Sequence, residues 1–137
     1  VFDARTSTRA GGESQPAAFE LQQRTEGDVM ILSPVGRLDS GTSAIFQDRW
    51  QFGRQDGFEL FIVDFSQLTF LSSMGLRVLI VAAKQSKLIV CRMSPFVAQL
   101  FELGGLAKHI KAEGSVEEAM KAHLASSRRR ADGDPTP

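Results

Sequence analysis

Residues 60–83 read LFIVDFSQLTFLSSMGLRVLIVAA, and this stretch decides the fold. Its first six residues are apolar except for Asp64, which is typical of a central strand covered on both faces. Its second half predicts a helix over residues 73–86, with one apolar stripe at helical spacing formed by Leu76, Leu79, Ile80 and Ala83. A buried strand followed by an amphipathic helix indicates an α/β domain.

The alternation of strands and helices continues on both sides of this stretch. Upstream, apolar residues near positions 19–21 and 29–35 predict a hairpin, and residues 42–51 predict a short helix that ends near Gly53. Downstream we expect a strand at 88–91, a helix from Pro95 that stops at Gly104 and Gly105, a strand with His109 and Ile110, and a helix from Ser115 to about Leu124. The order β-β-α-β-α-β-α-β-α predicts a single layered α/β domain.

Length and charge limit the function classes that need to be considered. The chain of 137 residues suits one hydrophobic core, and we predict a domain over residues 18–125 between disordered tails at 1–17 and 126–137. Sixteen basic residues balance sixteen acidic ones, so nucleic acid is not an expected partner. The most apolar stretch, residues 75–83, is about half of the roughly 20 residues that cross a bilayer, so no membrane insertion is expected.

Residues that could carry catalysis or a metal are few. Cys91 is the only cysteine, which excludes an internal disulfide and a cysteine-built zinc site and fits a reducing, cytoplasmic location. His109 and His123 are the only imidazoles, and their neighbours indicate structural roles. Phosphate-cradling and dinucleotide-binding glycine motifs are absent from the sequence. We therefore expect no enzyme activity, no cofactor and no metal.

Ser72 and Ser73 lie at the predicted start of the helix that follows the central strand. One interpretation is structural, because a serine at this position caps a helix by accepting a free backbone N–H. The other is regulatory, because the same free amides and the positive end of the helix dipole stabilise a phosphate attached to a serine. The residues alone leave both interpretations open.

At this loop the sequence resembles the STAS family, whose signature is an apolar strand, an Asp-Ser-Ser/Thr-Gly-Leu loop and an apolar helix. Residues 71–79, LSSMGLRVL, align with that signature without a gap. Residues 36–39, GRLD, are similar to the family's turn before the first helix, and residues 90–106 are similar to its late strand and third helix. The resemblance covers about residues 18–125.

The resemblance implies a STAS-like mixed sheet with about four helices packed mainly on one side. It also implies an anti-sigma factor antagonist, a binding protein that sequesters an anti-sigma factor and is controlled by phosphorylation of a serine. Its partners would be that anti-sigma factor acting as a serine-protein kinase, a phosphatase and, through weak self-association, a second copy of the chain. Ser73 falls on the phosphoacceptor, and the implied partner-binding residues are Asp39, Ser40, Ser72, Ser73, Met74, Gly75 and Arg77.

The sequence departs from the family pattern at three places. Ser72 stands where the family has an acidic residue, which makes Ser72 a rival acceptor, and Met74 replaces a small hydroxyl residue. The connection over residues 84–88 is unusually short for a helix that reverses into a strand. The first two departures favour an alternative, a constitutive STAS scaffold subunit of a transport or stress-signalling complex that needs no phosphorylation.

Overall fold

The computed structural model describes residues 19–131, with side chains described for residues 19–125. The strands are β1 (Glu20–Glu26), β2 (Val29–Leu38), β3 (Leu60–Asp64), β4 (Leu68–Leu71), β5 (Lys87–Cys91) and β6 (Lys111–Glu113). The helices are α1 (Ser43–Gln55), α2 (Ser73–Gln85), α3 (Pro95–Leu103) and α4 (Val116–Ala131), and a 3-10 turn spans Leu106–Lys108. The tail predicted over residues 1–17 lies outside the described residues.

The sheet is mixed and runs in the order β1-β2-β3-β5-β6. Only the β1–β2 hairpin is antiparallel, and the other described pairs are parallel. On one face, alternate residues such as Phe61 and Val63 pack in a core with α1, α2 and α3. On the other face, Ile62 and Ile89 pack with Ala119 of α4. The predicted mixed sheet with helices mainly on one side is confirmed.

Strand β2 has two parallel partners in succession. Its first half pairs with β3 as far as Leu32, and its second half pairs with β4 from Gly36 onward. Pro34 lies between these two segments, where no parallel neighbour needs the N–H that a proline lacks. The sequence places this proline in the strand, and the change of partner explains how the strand tolerates it.

Two expectations about the first half of the domain are wrong. Residues 68–71, which the predicted order leaves in the connection between the central strand and the next helix, form β4. Four residues that follow β3 after a three-residue turn are too few to show the alternation of a strand. Helix α1 continues through Gly53 to Gln55. A Cβ at Gly53 would lie 2.8 Å from atoms of Met30 and Phe61, so this glycine permits close packing, and Gly57, at φ +99°, follows the helix end.

Two expectations about the second half are also wrong. His109 and Ile110 follow the 3-10 turn and are not part of a strand, because the last strand begins only at Lys111. The N–H of Ile110 donates instead to Leu106 O, at the start of the turn, at 2.9 Å. Helix α4 continues past Leu124 to Ala131, so helical backbone replaces the first six residues of the predicted C-terminal tail, and residues 132–137 of that tail lie outside the described residues. Arginine is a good helix former, and no glycine or proline intervenes before residue 133.

Helix α2 begins and ends close to its predicted bounds. Its buried face is centred on Val78, Leu79 and Ala82, one position away from the predicted stripe, of which Leu76, Ile80 and Ala83 remain partly exposed. The short connection to β5 consists of Ser86 alone. Its hydroxyl donates to Ala82 O at 2.7 Å and accepts from Trp50 Nε1 at 3.0 Å, which stabilises the abrupt reversal.

Candidate functional site

The carboxyl ends of β2 and β4 bring the two predicted site loops together. Leu38 is paired with Leu71, the last residue of each strand, and the N–H of Ser72 donates to Leu38 O at 3.0 Å. Asp39 and Ser72 therefore follow directly from paired positions on parallel strands. This edge of a parallel sheet is where α/β domains place functional loops.

Ser72 is the N-cap of α2. Its backbone is extended, at φ −89° and ψ 175°, and its Oγ accepts from the N–H of Gly75 at 3.2 Å. The side chain is half-buried in this role. The structural interpretation of the serine pair therefore applies to Ser72.

Ser73 is the first residue of α2 and is exposed. Its hydroxyl makes no hydrogen bond to any residue that the structure describes, in contrast to the hydroxyl of Ser72. An accessible hydroxyl at a helix N-terminus has free backbone N–H groups beside it, and these favour a negative charge. Of the two serines, Ser73 is the one that a protein kinase can reach without breaking the helix cap.

Gly75 is buried and packs against the end of β2. A Cβ at this position would lie 2.5 Å from the carbonyl oxygen of Leu38, closer than real Cβ contacts allow. The glycine thus lets the first turn of α2 approach the strand. Its burial argues against direct partner contact, although the resemblance had included Gly75 among the binding residues.

Asp39 organises the turn between β2 and α1. Its Oδ1 accepts from the N–H of Gly41 at 3.0 Å and from Thr42 Oγ1 at 3.3 Å, and its Oδ2 lies 3.5 Å from Arg37 Nε. The hydrogen bond from Gly41, with those from Thr42 and Arg37, holds the pKa of Asp39 below its ordinary value. The carboxylate is therefore ionised at neutral pH and contributes a fixed negative charge to this edge of the domain.

The remaining predicted binding residues are Ser40, Met74 and Arg77, and all three are exposed. Met74 is 39% exposed, so it presents an apolar group to solvent. Arg77 lies four residues after Ser73 and therefore on the same side of α2. These residues lie on the two neighbouring loops and the first turns of α2, which we call the surface around Ser73, and the roles of their side chains in binding remain predictions.

Three residues next to this surface were missed at the sequence level. The guanidinium carbon of Arg37 lies 4.1 Å from the ring centroid of Phe70, and the rings of Phe70 and Phe96 are 6.3 Å apart. We call Arg37, Phe70 and Phe96 the aromatic–arginine patch. Phe70 belongs to β4, the strand that the sequence did not reveal, so the register that pairs it with Arg37 could not be predicted.

An ion pair between the buried Asp64 and the half-exposed Arg92 supports the loop that leads into β4. Arg92 Nε and Nη2 donate to the two carboxylate oxygens of Asp64 at 3.1 and 2.8 Å, and Nη2 also reaches Ser66 Oγ at 3.3 Å. Burial opposes ionisation of Asp64, but the hydrogen bonds from Arg92 and Ser66 outweigh it and lower the pKa of Asp64. Arg92 adopts a left-handed backbone, at φ +58°, which is uncommon for a residue other than glycine, and the hydrogen bonds of its side chain help to hold it there.

The cysteine and one histidine lie apart from the Ser73 surface. Cys91 is buried in β5, and burial raises its pKa to about 11, so the thiol stays protonated. His123 of α4 lines a cleft of about 580 Å³ with Asp28 and Lys87, near the amino ends of the parallel strands. Its Nε2 lies 3.8 Å from Asp28 Oδ1. In the described part of the chain, no helix is long and apolar enough to cross a bilayer.

Solved structures of other proteins have a similar fold. A structure of an anti-sigma factor antagonist from Mycobacterium paratuberculosis superimposes with a TM-score of 0.71 at 21% identity, covering 80% of this chain and 97% of that one. The unphosphorylated form of the Bacillus protein SpoIIAA gives a TM-score of 0.66 at 20% identity, covering 79% of this chain and 97% of SpoIIAA. At these identities the likeness concerns the fold.

Sequence comparison adds a relative and a family. BtrV of Bordetella bronchiseptica, by its name a candidate anti-sigma factor antagonist, is 33% identical over 66 residues, which cover 44% of this chain and 57% of BtrV. The match thus spans little more than half of that relative. The family model described as the STAS domain matches residues 20–119, from the first strand into the last helix. Because that match includes most of the chain and all of the sheet, this protein belongs to the STAS domain family.

Proposed function

We propose that this protein is an anti-sigma factor antagonist, a non-catalytic switch whose binding surface surrounds Ser73. The observation that carries the proposal is the different state of the two serines. Ser72 Oγ is held in the helix cap, while Ser73 is exposed, and the neighbouring loop carries the ionised carboxylate of Asp39. The names of the similar proteins support the class of partner, an anti-sigma factor. The serine kinase activity of that partner is part of the proposal.

The proposed switch is electrostatic. Unphosphorylated protein binds the anti-sigma factor through the surface around Ser73, and the sigma factor is released. A phosphate on Ser73 adds about −1.5 to −2 charges to a surface that already carries Asp39. The added charge repels acidic groups and must be desolvated when the complex forms, so binding weakens without refolding of the domain.

The proposed switch is reversible and operates in the cytoplasm. A phosphatase would restore the binding form by removing the phosphate. The cycle places the protein in the cytoplasm, together with its kinase and the transcription machinery. The domain itself performs no catalysis in this scheme, because the kinase supplies the phosphoryl transfer.

The test begins with co-purification of the protein from its native cells, followed by intact-mass measurement, to recover the partner and any bound phosphate. The recovered kinase is then incubated with wild-type protein, Ser73→Ala and Ser72→Ala. We expect phosphate on the wild type and on Ser72→Ala, and none on Ser73→Ala, which should stay bound to the anti-sigma factor. Phosphorylation of Ser73→Ala at Ser72 would refute the assignment of the site.

A constitutive scaffold is the second candidate, and a specific observation favours it. Ser72 and Met74 replace residues typical of the phosphorylated members, and Met74 presents an apolar side chain beside Ser73. An apolar contact there would suit a permanent interface. Absence of phosphate from both serines, combined with a stable complex, would support this candidate over the switch.

A further inference from the structure

The aromatic–arginine patch is an exposed cluster assembled from three elements. Arg37 comes from the end of β2, Phe70 from β4 and Phe96 from the first turn of α3. Phe96 is 51% exposed and the Arg37 side chain is 60% exposed, while Phe70 is half-buried between them. Aromatic rings and arginine are the side chains most enriched at the centres of protein interfaces.

The patch is continuous with the surface around Ser73. Arg37 Nε lies 3.5 Å from Asp39 Oδ2, and Phe70 stands two residues before Ser72 on a strand hydrogen-bonded to β2. No hinge or long loop separates the two regions. A single partner can therefore cover Ser73 and the patch together.

The charge of the patch indicates what such a partner carries. The guanidinium carbon of Arg37 lies 4.1 Å from the Phe70 ring centroid, and the Arg37 side chain is 60% exposed, so the guanidinium can contact the ring and a partner at the same time. The group has five N–H donors, and its contact with Asp39 uses one nitrogen. Arg77 adds a second exposed cation one helical turn beyond Ser73. This arrangement is complementary to a carboxylate placed beside an apolar side chain.

We propose that Arg37, Phe70 and Phe96 bind a segment of the anti-sigma factor in which an acidic residue adjoins an apolar or aromatic one. The apolar side chain packs on Phe96, and the carboxylate accepts from Arg37. This inference rests on the proposed function and extends it to the chemistry of the partner. It also gives a reason for release, because a phosphate on Ser73 would repel the carboxylate that Arg37 attracts.

The chain offers matched controls for a test by substitution. Phe52 is exposed to a similar degree, at 64%, and Arg54 also lies over a ring, 5.3 Å from the centroid of Trp50. Arg54 donates to Gln85 at the carboxyl end of α2, so both control residues lie away from the Ser73 end of that helix. Phe96→Ala and Arg37→Ala can thus be compared with Phe52→Ala and Arg54→Ala.

The measurement is titration of each variant against the anti-sigma factor kinase identified by co-purification, at two salt concentrations. Phe96→Ala and Arg37→Ala should each raise Kd at least tenfold, whereas the two control variants should stay within twofold of wild type. The salt dependence should weaken in Arg37→Ala and persist in Phe96→Ala. Arg37→Lys keeps the positive charge but replaces the planar guanidinium with an ammonium group, so its Kd should lie between those of wild type and Arg37→Ala.

The outcomes separate this inference from the proposed function. Thermal melting of each variant verifies folding, and Phe96→Ala should melt close to wild type because its ring is half exposed. If wild-type protein binds and all four alanine variants bind equally well, the patch is not part of the interface and this inference fails alone. If wild-type protein does not bind the kinase, both the proposed function and this inference fail.

Discussion

Substitution of Gly75 by alanine tests how closely α2 must approach β2. The added Cβ would lie 2.5 Å from Leu38 O, 3.0 Å from Leu71 Cδ1 and 3.2 Å from Leu38 Cγ. The oxygen belongs to the backbone and is held by the N–H of Ser72 at 3.0 Å, so it cannot move aside as a flexible side chain could. Overpacking of this kind lowers the free energy of unfolding by about 1–3 kcal/mol. The higher helix propensity of alanine offsets this loss by up to about 1 kcal/mol.

We therefore expect Gly75→Ala to lower the free energy of unfolding by about 1–2 kcal/mol. With a urea dependence of about 2 kcal/mol per molar, the midpoint should fall by roughly 0.5–1 M. Gly41→Ala is the control, because its Cβ would meet only Asp39 Oδ1 at an ordinary 3.5 Å. A Gly75→Ala midpoint equal to that of wild type would show that the helix and strand are not in this tight contact.

Two further predictions concern stability. Leu79→Ala should lower the free energy of unfolding by about 2–5 kcal/mol because Leu79 is fully buried. Leu103→Ala is the control, because its side chain is 78% exposed and its loss should leave the unfolding midpoint nearly unchanged. Equal effects of the two substitutions would contradict the packing of α2. The pKa of Asp64 is lowered below 3.8 in the folded protein, so its ion pair with Arg92 stabilises the fold at pH values above 3.8. This stabilisation is lost as the pH falls through the lowered pKa and the carboxylate becomes protonated. The stability difference between wild type and Asp64→Asn should therefore shrink in acid, and a constant difference across that range would contradict the ion-pair argument.

The sequence predicted those elements whose signals are local and strong. Strand β3 was evident because residues 60–65 are apolar except for Asp64, and α3 was evident because Ser94 and Pro95 mark its start. That a serine of the 72–73 pair caps the helix followed from the place of the pair between a strand and an apolar helix, and the structure identifies Ser72 as the cap. In each case the decisive interaction lies within a few residues along the chain.

The features that could not be predicted depend on contacts distant in sequence. Gly53 resembles a helix stop until its packing against Met30 and Phe61 is known. Strand β4 is recognisable only through its pairing with the second half of β2. The aromatic–arginine patch requires that same pairing, which brings Phe70 next to Arg37 across 33 residues of sequence.

The pairing of β2 with β4 also has a thermodynamic consequence. Both loops that hold the site begin at the last rung of one hydrogen-bonded ladder, so their geometry is fixed before a partner arrives. A preorganised surface loses little conformational entropy on association. Binding should then show a heat-capacity change set by the buried apolar area alone, without the larger negative value that accompanies folding coupled to binding.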